Sequence, residues 1–292
     1  MRQLILLIIV MTVCSGTSCK AAQYGVARSA TPVLNTPSFS AIFGGRDGKT
    51  LKTDRCGQVR EMEFIALPGT SFKLLRETSS HNSRIYQVET PDYPTPVNGA
   101  LYVDSRFIEL RDSQPPARAR ELPGQQQIIS ELRGAIGSPY VWGGNLQQGV
   151  GQLSELFYYG TTEEIGKHEL LAGLDCSGLL YQATDGWTPR NTSQLISFGT
   201  SLAIAHKTAG ELTRLLEPLD LIVWNGHVII VLDKGTAIES RLECGKPGHG
   251  GVVTTELRQR LAEIMRTRRP MDSCPKEGKQ RDLFVVRRWF GL

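Results

Sequence analysis

The residues Asp175-Cys176-Ser177-Gly178 precede the apolar pair Leu179-Leu180. This places a thiol where a helix would begin. The first N–H groups of a helix are unpaired and its dipole favours negative charge there, so the position predicts a thiol that ionises readily. A sulfur nucleophile also needs a base. His227 opens His227-Val228-Ile229-Ile230-Val231, an apolar and β-branched run that reads as a buried strand. A cysteine on a helix with a histidine on a strand suits acyl transfer through a thioester. Two plainer readings stand beside this one. Cys176 can be a small buried apolar residue, and His227 a strand histidine satisfied by local hydrogen bonds. His168, His206 and His249 open no apolar strand and read as solvated surface.

The elements that would position this pair can be read along the chain. Residues 29–112 form one unit with short β-like runs at Ser38–Phe43, Glu63–Ala66, Ser71–Leu75, Arg84–Glu89 and Ala100–Leu110. Turn clusters such as Gly44-Gly45-Arg46-Asp47-Gly48 separate them, and the pattern predicts a small all-β barrel. Residues 113–124 carry Pro115, Pro116 and Pro123 and read as a linker. Residues 125–292 form the second unit. It opens on a helix over Gln125–Ile136, with Ile128, Ile129, Leu132 and Ile136 at helical spacing. Val223–Asp233, Thr236–Ser240 and Asp282–Phe290 read as strands of an antiparallel sheet, and Thr255–Arg268 as a surface helix. Residues 147–173 show no strand pattern and read as an insertion that can shape or cover a cleft. The expected fold class is α+β.

The N-terminus predicts export. Arg2 precedes the apolar run Leu4–Val13, which is shorter than a membrane span requires. Residues 1–22 therefore read as a secretory signal with cleavage near Ala21 or Ala22. Cys19 adds the option of a lipid anchor at an imperfect processing site. The expected location is the periplasm or cell envelope, with no integral membrane span. In 292 residues, 40% are hydrophobic and 21% charged, which is ordinary for a globular protein. The net charge of +4 comes with no basic stripe interleaved with aromatics, so nucleic acid is not an expected partner. Cys244 and Cys274 bracket an irregular segment and can be bridged in an exported protein; isolated thiols are the alternative.

Four segments recur in a recognisable order. They are Tyr140-Val141-Trp142-Gly143-Gly144, Asp175-Cys176-Ser177-Gly178, Pro189-Arg190-Asn191-Thr192-Ser193-Gln194, and Asp220-Leu221-Ile222-Val223-Trp224 followed by His227-Val228. Together they resemble the NlpC-type cell-wall peptidases, over residues from about 125 to the end. Val97–Phe107 resembles the closing strands of a bacterial SH3-like domain. The resemblance implies a papain-like peptidase domain with the cysteine helix packed on an antiparallel sheet, behind an SH3-like barrel. It implies hydrolysis of peptidoglycan stem peptides or muropeptides, commonly between γ-D-glutamate and diaminopimelate, with no metal or organic cofactor.

The resemblance also implies residue roles. Cys176 is the nucleophile and His227 the base. Glu239 stands where the family commonly places His, Asn or Gln to hold the imidazole; a carboxylate there would favour the imidazolium and so a thiolate–imidazolium pair, with an exposed strand glutamate and another orienting group as the alternative. The Cys176 N–H and Tyr140 are the candidate oxyanion donors, with ordinary packing against Trp142 as the alternative for Tyr140. Asp175 and Ser177 are candidates for a substrate amine, with a helix N-cap as the equal reading of Asp175. Arg190 and Ser193 are candidates for a substrate carboxylate, with a solvated loop as the equal reading. The alternatives to a peptidase are a non-catalytic wall-binding protein and an amidase or acyltransferase on the same scaffold.

Overall fold

The computed structural model describes residues 23–80, 83–159, 166–245, 250–275 and 282–291. The expected secretory signal of residues 1–22, with Cys19, and His249 lie outside these residues.

The first part contains β1 (Tyr24–Ala27), β2 (Thr31–Leu34), α1 (Phe39–Ile42), β3 (Met62–Ala66), β4 (Ser71–Ser80), β5 (Ser83–Glu89), β6 (Leu101–Asp104) and β7 (Ile108–Arg111). They form one antiparallel sheet in the order β3-β2-β6-β5-β4-β1-β7. β1 and β2 carry no alternation that marks them as strands; all four residues of β2 are buried. The segment Ser38–Phe43, expected as a strand, is instead the single turn α1. Its apolar residues Phe39, Ile42 and Phe43 recur at helical spacing and are buried together.

The second part starts with α2 (Gln125–Gly134), which buries Ile128 and Leu132. Then come β8 (Asn145–Leu146), α3 (Gln152–Phe157), β9 (Gly173–Leu174), α4 (Cys176–Ala183), α5 (Thr192–Leu195), β10 (Thr200–Ser201) and α6 (Ala209–Leu215). The chain closes with β11 (Leu221–Trp224), β12 (His227–Val231), β13 (Thr236–Leu242), β14 (Gly250–Glu256), α7 (Leu257–Met265), β15 (Arg269–Pro270) and β16 (Leu283–Arg288). The second sheet runs β10-β16-β11-β12-β13-β14, antiparallel along that path, with β15 parallel to β16. The molecule is therefore mixed α and β with antiparallel sheets. The run expected as one strand over Val223–Asp233 is broken by a hairpin at Asn225-Gly226, where Gly226 adopts φ +93°. The helix expected from Thr255 begins at Leu257, because Thr255 is still paired with Ala237.

One face of the second sheet buries Val223, Val228, Ile230 and Ile238 against Cys176, Leu179, Leu180 and Ala183 of α4. The other face buries Ile222, Ile229 and Ala237 against Leu212 of α6 and Leu257 and Leu261 of α7. Alternate residues of each strand thus serve opposite faces, which is why the strands read as continuous apolar runs.

Three features join the two parts. The segment 147–173, expected as an insertion, leaves and returns through the paired strands β8 and β9. Its Val150, Leu153, Tyr158 and Leu171 pack with Leu34, Phe39, Phe43 and Ile65 of the first part. The Asn145 side-chain amide behaves as a strand partner for Ile65: its Oδ1 accepts from the Ile65 N–H at 2.9 Å, and its Nδ2 donates to the Ile65 carbonyl at 2.9 Å. Cys56 and Cys244 form a disulfide, and Cys274 is a free thiol. The expected Cys244–Cys274 bridge is therefore replaced by a crosslink between the two parts. Among the described residues, no helix is long and apolar enough to cross a membrane.

Candidate active site

Cys176 is the first residue of α4, and Asp175 is its N-cap, with Oδ1 accepting from the Gly178 N–H at 2.6 Å. Gly178 is required by a close approach. A Cβ there would lie 2.0 Å from the Gly144 carbonyl oxygen, so only glycine lets α4 press on the Gly143-Gly144 turn. The sulfur lies 4.0 Å from the Gly226 carbonyl oxygen, beside the start of β12.

The expectation of a readily ionised thiol is reversed in this resting structure. Burial pushes the Cys176 thiol up to about 12, and the nearby Asp175 charge pushes the same way. The Val228 backbone N–H, Arg190 and the Ser177 backbone oppose this without overcoming it. The helix N-terminus is real, but the cost of holding a bare charge in a desolvated site exceeds it. Cys176 is only 7% exposed.

His227 Nε2 donates to Glu239 Oε2 at 2.7 Å. Glu239 comes from β13, the neighbour of β12, and is buried. With Nε2 occupied, Nδ1 is the ring nitrogen left to serve a sulfur. The His227 ring also lies 5.0 Å from that of Trp224, its cross-strand partner. Burial pushes the Glu239 carboxyl up, but hydrogen bonds from His227 and Arg260 and their charges outweigh it, so it stays below the usual glutamate range.

A cleft of about 250 Å³ opens beside Cys176. Its walls are Met62, Glu63 and Tyr93 from the first part, and Tyr140, Trp142, Gly143, Asp175, Ser177, Arg190, Asn191, Thr192, Asn225 and Gly226 from the second. Burial, then the charges of Asp175 and Cys176, hold the Tyr140 phenol well above its ordinary range. Tyr140 therefore keeps its proton at neutral pH and remains a donor. The Trp142 ring lies beneath the Arg60 guanidinium at 4.5 Å, and the Trp142 backbone N–H donates to Gln58 Oε1 at 2.8 Å. The loop carrying Cys56 thereby props the Tyr140–Gly143 wall.

Arg190 differs from both of its sequence readings. It is 2% exposed, neither a solvated loop residue nor free for a substrate. Nε donates to Asn145 Oδ1 at 3.1 Å. Nη1 donates to Asp175 Oδ1 at 3.0 Å and Ser177 Oγ at 2.9 Å. Nη2 donates to Asp175 Oδ2 at 2.6 Å and the Gly144 carbonyl at 3.3 Å. All five guanidinium N–H groups are thus committed within the protein. Asp175 and Ser177 border the cleft, yet both belong to this cluster, and Ser177 Oγ donates to Asp175 Oδ1 at 3.1 Å. Ser193 is exposed and outside the cleft lining; Asn191 and Thr192 take that place. The expected insertion, residues 147–173, also lines none of the cleft among its described residues.

Several cleft residues had no signal in the sequence. Glu63 accepts from the Tyr93 hydroxyl at 2.9 Å and from Asn35 Nδ2 at 3.0 Å. Tyr93 in turn accepts from Asn191 Nδ2 at 3.0 Å. These three parts of the chain are distant in sequence, so no local pattern announces them. A larger cavity of about 750 Å³ near Phe43, Arg106 and Phe157 is lined by neither cysteine nor histidine among the described residues.

No family model and no curated protein matches the chain. Its neighbours among solved structures are NlpC/P60 proteins. One is an NlpC/P60 family protein from Bacillus cereus ATCC 10987, 17% identical with a TM-score of 0.32 over 92% of this chain. This chain spans 64% of the length of that protein. The P60 domain of an antigen from M. avium subspecies paratuberculosis is 19% identical, with a TM-score of 0.32 over 56% of this chain and 93% of the other. NlpC2 from Trichomonas vaginalis is 12% identical, with a TM-score of 0.30 over 92% of this chain and 72% of the other.

Proposed function

We propose that this chain is an exported cysteine endopeptidase that cleaves peptidoglycan stem peptides, at the bond from γ-D-glutamate to diaminopimelate. One observation carries the reading. A buried cysteine at a helix start lies against the strand whose first residue is His227, and that histidine is held from behind by Glu239. The four ordered sequence segments supply the substrate class, and with them we read the first part as an SH3-like module and the second as a papain-like domain.

The chemistry follows from the site. As Cys176 Sγ bonds to the scissile carbonyl carbon, its proton passes to His227 Nδ1. Transfer is coupled to attack, because the isolated thiolate is costly in this desolvated position. The carbonyl oxygen gains negative charge beside the Cys176 N–H and the Tyr140 hydroxyl. Its collapse breaks the C–N bond, and His227 hands its proton to the departing amine. Water, giving a proton to His227, then cleaves the thioester, and the sulfur recovers its proton. Glu63 places a carboxylate in the cleft wall facing the second part, with the neutral groups of Tyr93 and Asn35 as hydrogen-bond partners. That suits a substrate with a free cationic amine.

Digestion of L-Ala-γ-D-Glu-diaminopimelate, beside its N-acetylated form, tests this. Mass spectrometry should show loss of diaminopimelate from the free peptide, much less from the acetylated one, and none with Cys176→Ala. Absence of cleavage of stem peptides and muropeptides alike, by folded protein, would overturn the assignment.

A further inference from the structure

The buried carboxylate behind His227 raises an electrostatic problem. A lone Glu239 anion at hydrogen-bond distance would hold the imidazole as an imidazolium, and an imidazolium cannot take a thiol proton. The structure places a counter-charge against that carboxylate. Arg260 of α7 donates from Nε to Glu239 Oε1 at 2.6 Å and from Nη2 to Glu239 Oε2 at 3.0 Å. Oε2 is the same oxygen that meets His227 Nε2. We propose that Arg260 is a positioning residue that neutralises Glu239, so that this carboxylate orients His227 as a neutral amide would while leaving the ring able to accept the Cys176 proton.

The arrangement around the pair supports this role. Arg260 is itself fixed along its own helix, with Nη1 donating to Glu263 Oε2 at 3.1 Å. Glu263 accepts in turn from Gln259 Nε2 at 3.1 Å. Arg241, on the same strand as Glu239, reaches only 3.8 Å from Oε1, beyond hydrogen-bond range. From β11, Trp224 faces His227, with the Arg268 guanidinium 4.7 Å over the Trp224 ring. From α4, Cys176 faces the site, and Asp175 is occupied by Arg190. The bidentate contact to Glu239 is therefore that of Arg260 alone among these cations. It also explains how a carboxylate can stand where the family that this chain resembles commonly uses His, Asn or Gln.

The inference rests on His227 being the base assigned above, but its test needs no substrate. His227 would be titrated by NMR in the intact protein, alongside the pH dependence of Cys176 alkylation by iodoacetamide. Arg260→Met should raise the His227 pKa by about one unit, the size expected when one compensating charge is removed. The acid limb of alkylation should move up by the same amount. Arg260→Lys should bring both most of the way back. Arg260→Gln keeps a donor to Glu239 without the charge, and should give the same upward shift if the Met variant folds poorly. In a Glu239→Gln background, removing Arg260 should move the His227 pKa far less. An unchanged or lowered His227 pKa in folded Arg260→Met or Arg260→Gln would overturn the proposal. If the shift occurs but no stem peptide is cleaved, the proposed substrate fails and the role of Arg260 stands.

Discussion

Arg190→Met separates a structural arginine from a substrate-binding one. The wild-type guanidinium makes five donations, all to buried partners, and two of them neutralise the Asp175 carboxylate. Methionine fills much of the space but leaves Asp175 with the Gly178 N–H and Ser177 hydroxyl as its remaining donors. Removing one partner of a buried ion pair costs about 3–5 kcal/mol, because the other charge stays desolvated. At about 2–4 °C per kcal/mol for a chain of this size, the melting temperature should fall by roughly 10 °C. Asp175→Asn alone should also destabilise, since it strands the arginine. The double variant should be less harmed than the two losses added, with a coupling of about 2 kcal/mol. Urea and thermal unfolding of the four proteins complete the cycle. A melting temperature unchanged in Arg190→Met, together with a raised KM for carboxylate-bearing peptides, would refute the structural role and restore the carboxylate-binding one.

Cys56→Ser should destabilise the chain by about 3–5 kcal/mol, because the lost crosslink closes a loop spanning 188 residues in sequence; equal urea midpoints with and without a reductant would count against this. Gly178→Ala should cost about 1–3 kcal/mol and slow Cys176 alkylation, since the backbone at Gly144 has no flexible end to move aside. A folded Ala variant with wild-type alkylation would contradict the close approach. The pH response of Cys176 has a definite sign. Its folded pKa, about 12, lies above that of an unfolded thiol, so its stabilising contribution is complete below about 8.5 and is lost as pH rises toward 12. Urea unfolding at pH 8 and pH 10 should therefore show a smaller alkaline loss in Cys176→Ala than in wild type; parallel losses would argue against a desolvated thiol.

Much of the fold was legible where the signal is local. The helix over Gln125–Gly134 announces itself by its apolar spacing, and the run after His227 by its β-branched residues. The short apolar run at Ser38–Phe43 did not separate strand from helical turn, because six residues sample both periods. β1 and β2 escaped notice for the same lack of length. Arg190 illustrates a different limit. Its neighbours suggest a polar loop, and only the convergence of Asn145, Gly144 and Asp175 makes it a core residue.

The order of residues alone determined the chemical vocabulary of the site: a thiol behind an N-capping aspartate, a histidine at a strand start, and a glutamate on the following strand. Those depend on neighbours within a few positions or on a fixed strand-to-strand offset. Tertiary structure decided how each group is charged and held. It desolvated Cys176, turned Asp175 and Arg190 into a closed pair, set Arg260 against Glu239, and joined Cys56 to Cys244. Solvation and Coulomb energies depend on distances through space, and residues far apart along a chain carry no local mark of where folding will place them.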